Sequence, residues 1–176
     1  MTHKLVPGST LPDISVPQFG GGALTLNRPT TGYDWRLIIV YRGKHCGVCT
    51  LYLQDMKALV DDLGALGVEV VAVSADTEEK AAIQLEKVKP NFTIGHDLSV
   101  AQMKELGLYI SDPRSLQETD APFSEPGLFV IDQNGVIQIV DLANNPFMRP
   151  DLTWLMKGIK FVRNPDNNYP IRGTKT

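Results

Sequence analysis

"RLIIVYRGKHCGVCTLYL", residues 36–53, is the stretch that decides the fold. Its first part, Leu37 to Tyr41, is a continuous apolar run of the kind that fills a buried parallel strand. Its second part carries the only two cysteines of the chain, Cys46 and Cys49. From about Gly47 apolar residues recur at Val48, Tyr52, Met56, Leu59, Val60 and Leu63, which is helical spacing, and Gly64 and Gly67 supply the stop. A strand therefore hands over to a helix, with the cysteine pair at the junction.

The pattern continues downstream. "VEVVAVSA" (68–75) predicts a second buried strand. "DTEE" (76–79) offers Asp76 as N-cap and Glu79 as the other half of a capping box, opening a helix through about Val88 that Pro90 ends. "NFTIGHD" (91–97) reads as a short strand and "LSVAQMKEL" (98–106) as a short helix closed by Gly107. Gly107 to Pro126 is loop-like, punctuated by Pro113, Pro122 and Pro126. "GLFVIDQNGVIQIV" (127–140) places two strands around Asn134-Gly135, the pair preferred in a type I′ hairpin turn. Leu152, Leu155, Met156, Ile159 and Val162 mark a last amphipathic helix.

Upstream, residues 1–33 form an N-terminal extension in which "DISV" and "ALTL" flank Gly20-Gly21-Gly22 as a small hairpin. Residues 165–176 lack apolar periodicity and are expected to be a loose tail. Early βαβ units followed by a hairpin predict an α/β chain with a mixed central sheet and helices on both faces, in one domain over 1–176.

Composition narrows the function classes. The 176 residues are 43% hydrophobic and 21% charged, ordinary for a globular domain. The net charge of −3 is spread without a basic stripe, which argues against nucleic acid. The apolar runs are too short to span a bilayer, and "MTHKLVPGST" lacks the apolar core of a secretory signal. The expected location is the cytoplasm, where thiols stay reduced and lasting structural disulfides are uncommon.

Three uses of the cysteines compete. A structural zinc ion wants four ligands, and His3, His45 and His96 are scattered without paired spacing. Burial as small apolar residues suits Cys49 alone better than the pair. A redox dithiol suits both. Cys46 falls at the helix start, where unpaired N–H groups and the macrodipole favour a thiolate, and Arg42, Lys44 and His45 push the same way. Cys49, one turn in, is placed to close a small ring with it.

Together with "GVEVVAVSAD" (67–76) and "EPGLFVIDQNGVI" (125–137), the opening stretch resembles the thioredoxin superfamily. More narrowly it resembles the peroxiredoxin-like AhpC/TSA branch, from about Pro7 to Val140. The resemblance implies a thioredoxin-like fold. In such folds a proline begins a late strand in the cis form opposite the cysteines, and the residue before it pairs with substrate backbone. Pro126 and Glu125 stand at the matching places, so a cis bond and a substrate contact are expected there.

The departures matter equally. The peroxiredoxin pattern Pro-x-x-x-Thr/Ser-x-x-Cys, laid on Cys49, puts its proline at Arg42 and its hydroxyl residue at Cys46. The arginine such enzymes bring beside the sulfur from the late strand has no counterpart, since Pro126 occupies that neighbourhood, which leaves Arg42 to supply charge. Thioredoxins carry Trp before the first cysteine, Pro before the second and a buried acid six residues upstream. Here those positions hold His45, Val48 and Val40, and His45 is either a proton acceptor for Cys49 or a solvated neighbour.

The resemblance implies a cytosolic thiol-dependent oxidoreductase that uses no cofactor or metal and reduces peroxides or disulfides with Cys46 and Cys49. Arg42, His45, Glu125 and Pro126 are the supporting and substrate-binding candidates. An external thiol reductant, such as a thioredoxin or glutathione system, closes the cycle, and a homodimer is compatible with the family. In disulfide reduction Cys46 is the attacker. In peroxide reduction the pattern names Cys49 and exposure names Cys46. The rival reading is a thioredoxin-fold binding or scaffold module with an idle pair.

Overall fold

The computed structural model describes residues 4–175. The chain enters through a hairpin, β1 (Ser15–Pro17) with β2 (Ala23–Thr25), turned at the glycine triplet. Then follow β3 (Trp35–Val40), α1 (Gly47–Met56), a 3-10 turn (Lys57–Leu59), α2 (Val60–Ala65) and β4 (Val68–Val73). Next come α3 (Glu78–Val88), β5 (Thr93–Gly95), α4 (Val100–Glu105), and the short β6 (Ile110–Ser111) and β7 (Phe123–Ser124). The closing elements are β8 (Gly127–Asp132), β9 (Ile137–Leu142), α5 (Leu152–Arg163) and a 3-10 turn (Pro165–Asn167). Five strands form one sheet in the order β5-β4-β3-β8-β9. β3, β4 and β5 run parallel, while β8 pairs antiparallel with both β3 and β9. This is the mixed sheet expected from the sequence.

β3 is buried on both faces, so from Leu37 to Val40 its run is apolar throughout rather than alternating, with Arg36 as its one charged member. Leu37, Ile39 and Tyr41 join a core with Leu53 and Met56 of α1, Leu63 of α2, Val88 of α3 and Ile159 of α5. Ile38 and Val40 join the opposite core with Val16 and Leu24 of the hairpin and Met103 of α4. Each such fully buried side chain contributes about 1.5–3 kcal/mol. Helices thus cover both faces, and the N-terminal hairpin completes one of them.

Four local expectations are corrected. Thr77, not Asp76, caps α3, its hydroxyl accepting from Lys80 N–H. Asp76 lies at the end of β4 beneath the loop after β3, and its carboxylate accepts the Lys44 N–H at 2.6 Å. No peptide bond among the described residues is cis, so Pro126 is trans. Glu125 N–H donates to the Tyr109 carbonyl at 2.8 Å and Ala143 N–H to the Pro126 carbonyl at 3.0 Å, which keeps the chain extended from β7 into β8. The hairpin turn is not type I′, because Gly135 (φ +76°) has positive φ and Asn134 does not. Asp132 Oδ1 accepts from Asn134 and Val136 N–H, winding a type I turn that Gly135 closes. Finally, the loop-like stretch before Pro126 contains the β6–β7 pair.

Among the described residues no helix is long and apolar enough to cross a membrane.

Candidate active site

The chain leaves β3 at the buried Tyr41 and turns through Gly43. Gly43 has φ +128°, and a β-carbon built on it would lie 2.6 Å from Asp76 Oδ1, so only glycine fits without displacing the acid. Gln84 of α3 donates from Nε2 to the Gly43 carbonyl (3.3 Å) and to Thr50 Oγ1 (3.1 Å). The loop is thereby clamped between the end of β4 and α3. Burial raises the Asp76 pKa, and the Lys44 N–H bond opposes that shift.

The clamped loop delivers Cys46 as the N-cap of α1, with Sγ accepting from the Cys49 N–H at 3.2 Å. Cys46 and Cys49 are joined as a disulfide across a Cα–Cα distance of 5.2 Å. Cys46 keeps 4% of its surface exposed and Cys49 none. Cys46 lines an open cleft of about 630 Å³ with Arg42, Lys44, His45, Glu118 and Phe147. Among the described residues no group of three or more His, Cys, Asp or Glu could hold a metal ion. Of the histidines weighed for zinc, His96 pairs with Asp97 instead, and His3 lies outside the described residues.

Cys49 faces the other way. Arg149 Nη2 lies 3.0 Å from its sulfur. The charge beside this sulfur is therefore supplied by Arg149 and not by Arg42, the arginine considered from the sequence. The guanidinium comes from the loop between β9 and α5, between Pro146 and Pro150, rather than from the late strand. It sits over the Tyr52 ring at 5.0 Å, and the Tyr52 hydroxyl donates to the Pro150 carbonyl at 3.0 Å. Burial lowers the Arg149 pKa, yet an arginine stays charged, and Nη1 is buried without a partner. Burial likewise raises the Tyr52 pKa, against the pull of Arg149. The sequence signal was an arginine held between two prolines ahead of the α5 cap, Asp151.

The remaining candidates divide. Arg42 lies in the cleft wall with Cys46, 3.4 Å (Nε) from Glu125 Oε2 and 3.5 Å (Nη2) from Glu118 Oε1, and over the Phe123 ring at 4.6 Å. Glu125 is buried and accepts from Ser111 Oγ at 2.6 Å, so it meets the site through Arg42 rather than through either sulfur. Pro126 makes no polar contact with the pair and serves the sheet through its carbonyl. His45 packs edge-on against Phe123 at 4.5 Å, with both ring nitrogens buried and unpartnered. Burial first, then Arg42, hold its pKa below the ordinary histidine value, so it stands in the site as a neutral imidazole. Glu118, which draws Arg42 and Arg114 together, had no signal in the sequence pattern.

Chemically, the arrangement provides one sulfur at a helix N-terminus that opens to a cleft. Its partner is buried against a cation. Opening the disulfide would place the charge of Cys49 beside Arg149 and that of Cys46 at the N–H groups of α1.

Solved structures share this architecture. Peroxiredoxin 6 of Arenicola marina matches with a TM-score of 0.76 at 18% identity, covering 92% of this chain and 75% of that one. A peroxiredoxin-like protein of Aquifex aeolicus matches with a TM-score of 0.73 at 19% identity, covering 90% and 88%. At these identities the likeness is one of fold. Alkyl hydroperoxide reductase C of Amphibacillus xylanus is 28% identical over 78% of this chain and 73% of its own. A protein of a Synechocystis species named as a peroxiredoxin is 25% identical over 100% of this chain and 91% of its own. The AhpC/TSA family model matches residues 7–140, spanning the hairpin, the cysteine loop and the sheet through β9. The chain belongs to the AhpC/TSA family.

Proposed function

We propose that the protein is a thiol peroxidase in which Cys49 attacks the peroxide and Cys46 resolves the product. The observation that carries this reading is the Arg149 guanidinium 3.0 Å from Cys49 Sγ. A cation at that distance favours thiolate over thiol, which is the requirement for a nucleophilic cysteine at neutral pH. The chain is a thiol oxidoreductase by family, and the peroxiredoxin pattern laid on the sequence points to Cys49 as well.

The Cys49 thiolate attacks one peroxide oxygen and the O–O bond breaks. Cys49 becomes a sulfenic acid, and the alkoxide or hydroxide leaves with a proton from water. The Cys46 thiol then condenses with the sulfenic acid, releasing water and giving the disulfide seen here. In this product state Cys49 is fully buried, when its sulfur no longer needs access. The peroxiredoxin hydroxyl position is taken by Cys46, so resolution needs no movement of a distant element. Two external thiols then return the pair to the dithiol.

A second reading is favoured by a different observation, the opening of Cys46 alone to the cleft. Here Cys46 attacks a substrate disulfide and Cys49 resolves the mixed disulfide. Single variants separate the two. Reduced Cys46→Ser and Cys49→Ser proteins are each mixed with hydrogen peroxide and, in parallel, with a small disulfide. The proposal expects Cys46→Ser to consume peroxide and accumulate sulfenic acid while Cys49→Ser stays inert. A Cys49→Ser protein that reacts with peroxide as fast as the wild type would refute it. Mixed-disulfide capture by Cys49→Ser without any peroxide reaction in either variant would establish the second reading.

A further inference from the structure

The cleft beside Cys46 is charged out of keeping with the molecule. The chain carries a net charge of −3, yet Arg42, Lys44, Lys87 and Arg114 converge on this cleft with Glu118 as its one carboxylate. Arg42 and Arg114 both lean on Glu118, at 3.5 and 3.3 Å. Among the described residues the ammonium groups of Lys44 and Lys87 have no ion-pair partner, and both side chains are exposed. His45 adds no charge but also no acid. The wall also carries the neutral polar Ser115 and Gln117, and the apolar Val48, Ile83 and Phe147, which are exposed to solvent.

Shape adds a second constraint. Cys46 is recessed, with 4% of its surface exposed, while Phe147, also on the cleft wall, is 77% exposed. With so little of the sulfur exposed, a thiol carried on the flat face of a folded protein has poor access to it. A slender thiol can enter, and about 630 Å³ accommodates a small molecule of tripeptide size.

We infer that the cleft receives a low-molecular-weight thiol bearing carboxylates, which opens the Cys46–Cys49 disulfide by attack on Cys46. The inference rests on the proposed redox role of the pair and names its reductant class. The incoming thiolate forms a bond to Cys46 Sγ, the Cys46–Cys49 bond breaks, and Cys49 leaves as a thiolate beside Arg149. A second molecule of the same thiol attacks the outer sulfur of the mixed disulfide. It leaves as the symmetric small-molecule disulfide and releases the Cys46 thiolate. Two thiols are oxidised and one protein disulfide is reduced. Lys44 and Lys87 hold the carboxylates, while the N–H groups of α1 hold the charge that returns to Cys46.

The test measures reduction of the oxidised protein by reduced glutathione (two carboxylates), by its diethyl ester (none) and by 2-mercaptoethanol, each rate normalised to thiolate concentration. The inference expects glutathione to react about tenfold faster than the ester at low ionic strength, with most of that advantage lost in high salt. It expects Lys44→Glu/Lys87→Glu to bring the two rates together, while Lys104→Glu, on α4 and away from the cleft, leaves the ratio as in the wild type. Equal rates for glutathione and its ester in the wild type would overturn the inference and leave the redox reading standing. So would a protein dithiol of the thioredoxin kind that outpaces glutathione with the ester ratio at unity. A disulfide that dithiothreitol itself does not open would remove both.

Discussion

At the scale of single residues, Arg149 decides more than any other side chain outside the pair. It is the cation in contact with Cys49, and its place in an irregular loop hid it from pattern reading, since no periodicity governs a loop. Replacing Arg149 with Met should raise the Cys49 thiol pKa by about 1–2 units, read from the pH dependence of alkylation in a Cys46→Ser background. An unchanged profile would deny the arginine its role. His45 makes a stability prediction with a fixed sign. Burial and Arg42 hold its folded pKa below the ordinary 6.5, so a proton binds more readily to the unfolded chain. The contribution is intact above pH 6.5 and is lost as pH falls from there through the folded value. The difference between the urea midpoints of His45→Phe and wild type should therefore be constant above that pH and change below it, with the variant losing less on acidification.

At the scale of elements, β3 was legible because burial on both faces leaves an unbroken apolar run, and α1 was legible from its spacing and glycine stop. What stayed hidden were choices between near-equivalent neighbours. Asp76 and Thr77 both make good caps, and tertiary structure assigned Asp76 to the cysteine loop. Asn134-Gly135 suits more than one hairpin turn, and Asp132 selected the one that uses its carboxylate. Arg36 is the clearest case of an element hiding a polar member. It is 2% exposed within β3, its Nε 2.8 Å from Glu69 Oε2 on β4, and its guanidinium also donates to the Thr25 carbonyl. Arg36→Leu takes the cation from the Glu69 carboxylate, which keeps only its bonds from Thr30 N–H and Oγ1, and should cost about 3 kcal/mol, whereas Arg36→Leu/Glu69→Leu should recover part of it. Denaturant unfolding of the two variants checks the difference.

At the scale of the whole molecule, the order strand, helix, strand and closing hairpin was enough to give the mixed sheet, because few topologies satisfy it. The family was legible through the resemblance carried by the cysteine stretch and the late hairpin. The site was half legible. Cys46, Cys49 and Arg42 come together as read, while the trans bond at Pro126 and the inward turn of Glu125 depend on how β6–β9 pack, which no local pattern encodes. The fold gives the two sulfurs different surroundings, a cleft for Cys46 and a buried cation for Cys49, and that asymmetry is the basis of the proposed cycle. The most direct measurement is a disulfide map of the fully reduced protein after one equivalent of hydrogen peroxide. The account predicts that both thiols disappear together and that the product is the intramolecular Cys46–Cys49 disulfide. Persistence of both thiols at that dose, or a product in which either cysteine is bonded elsewhere, would contradict it.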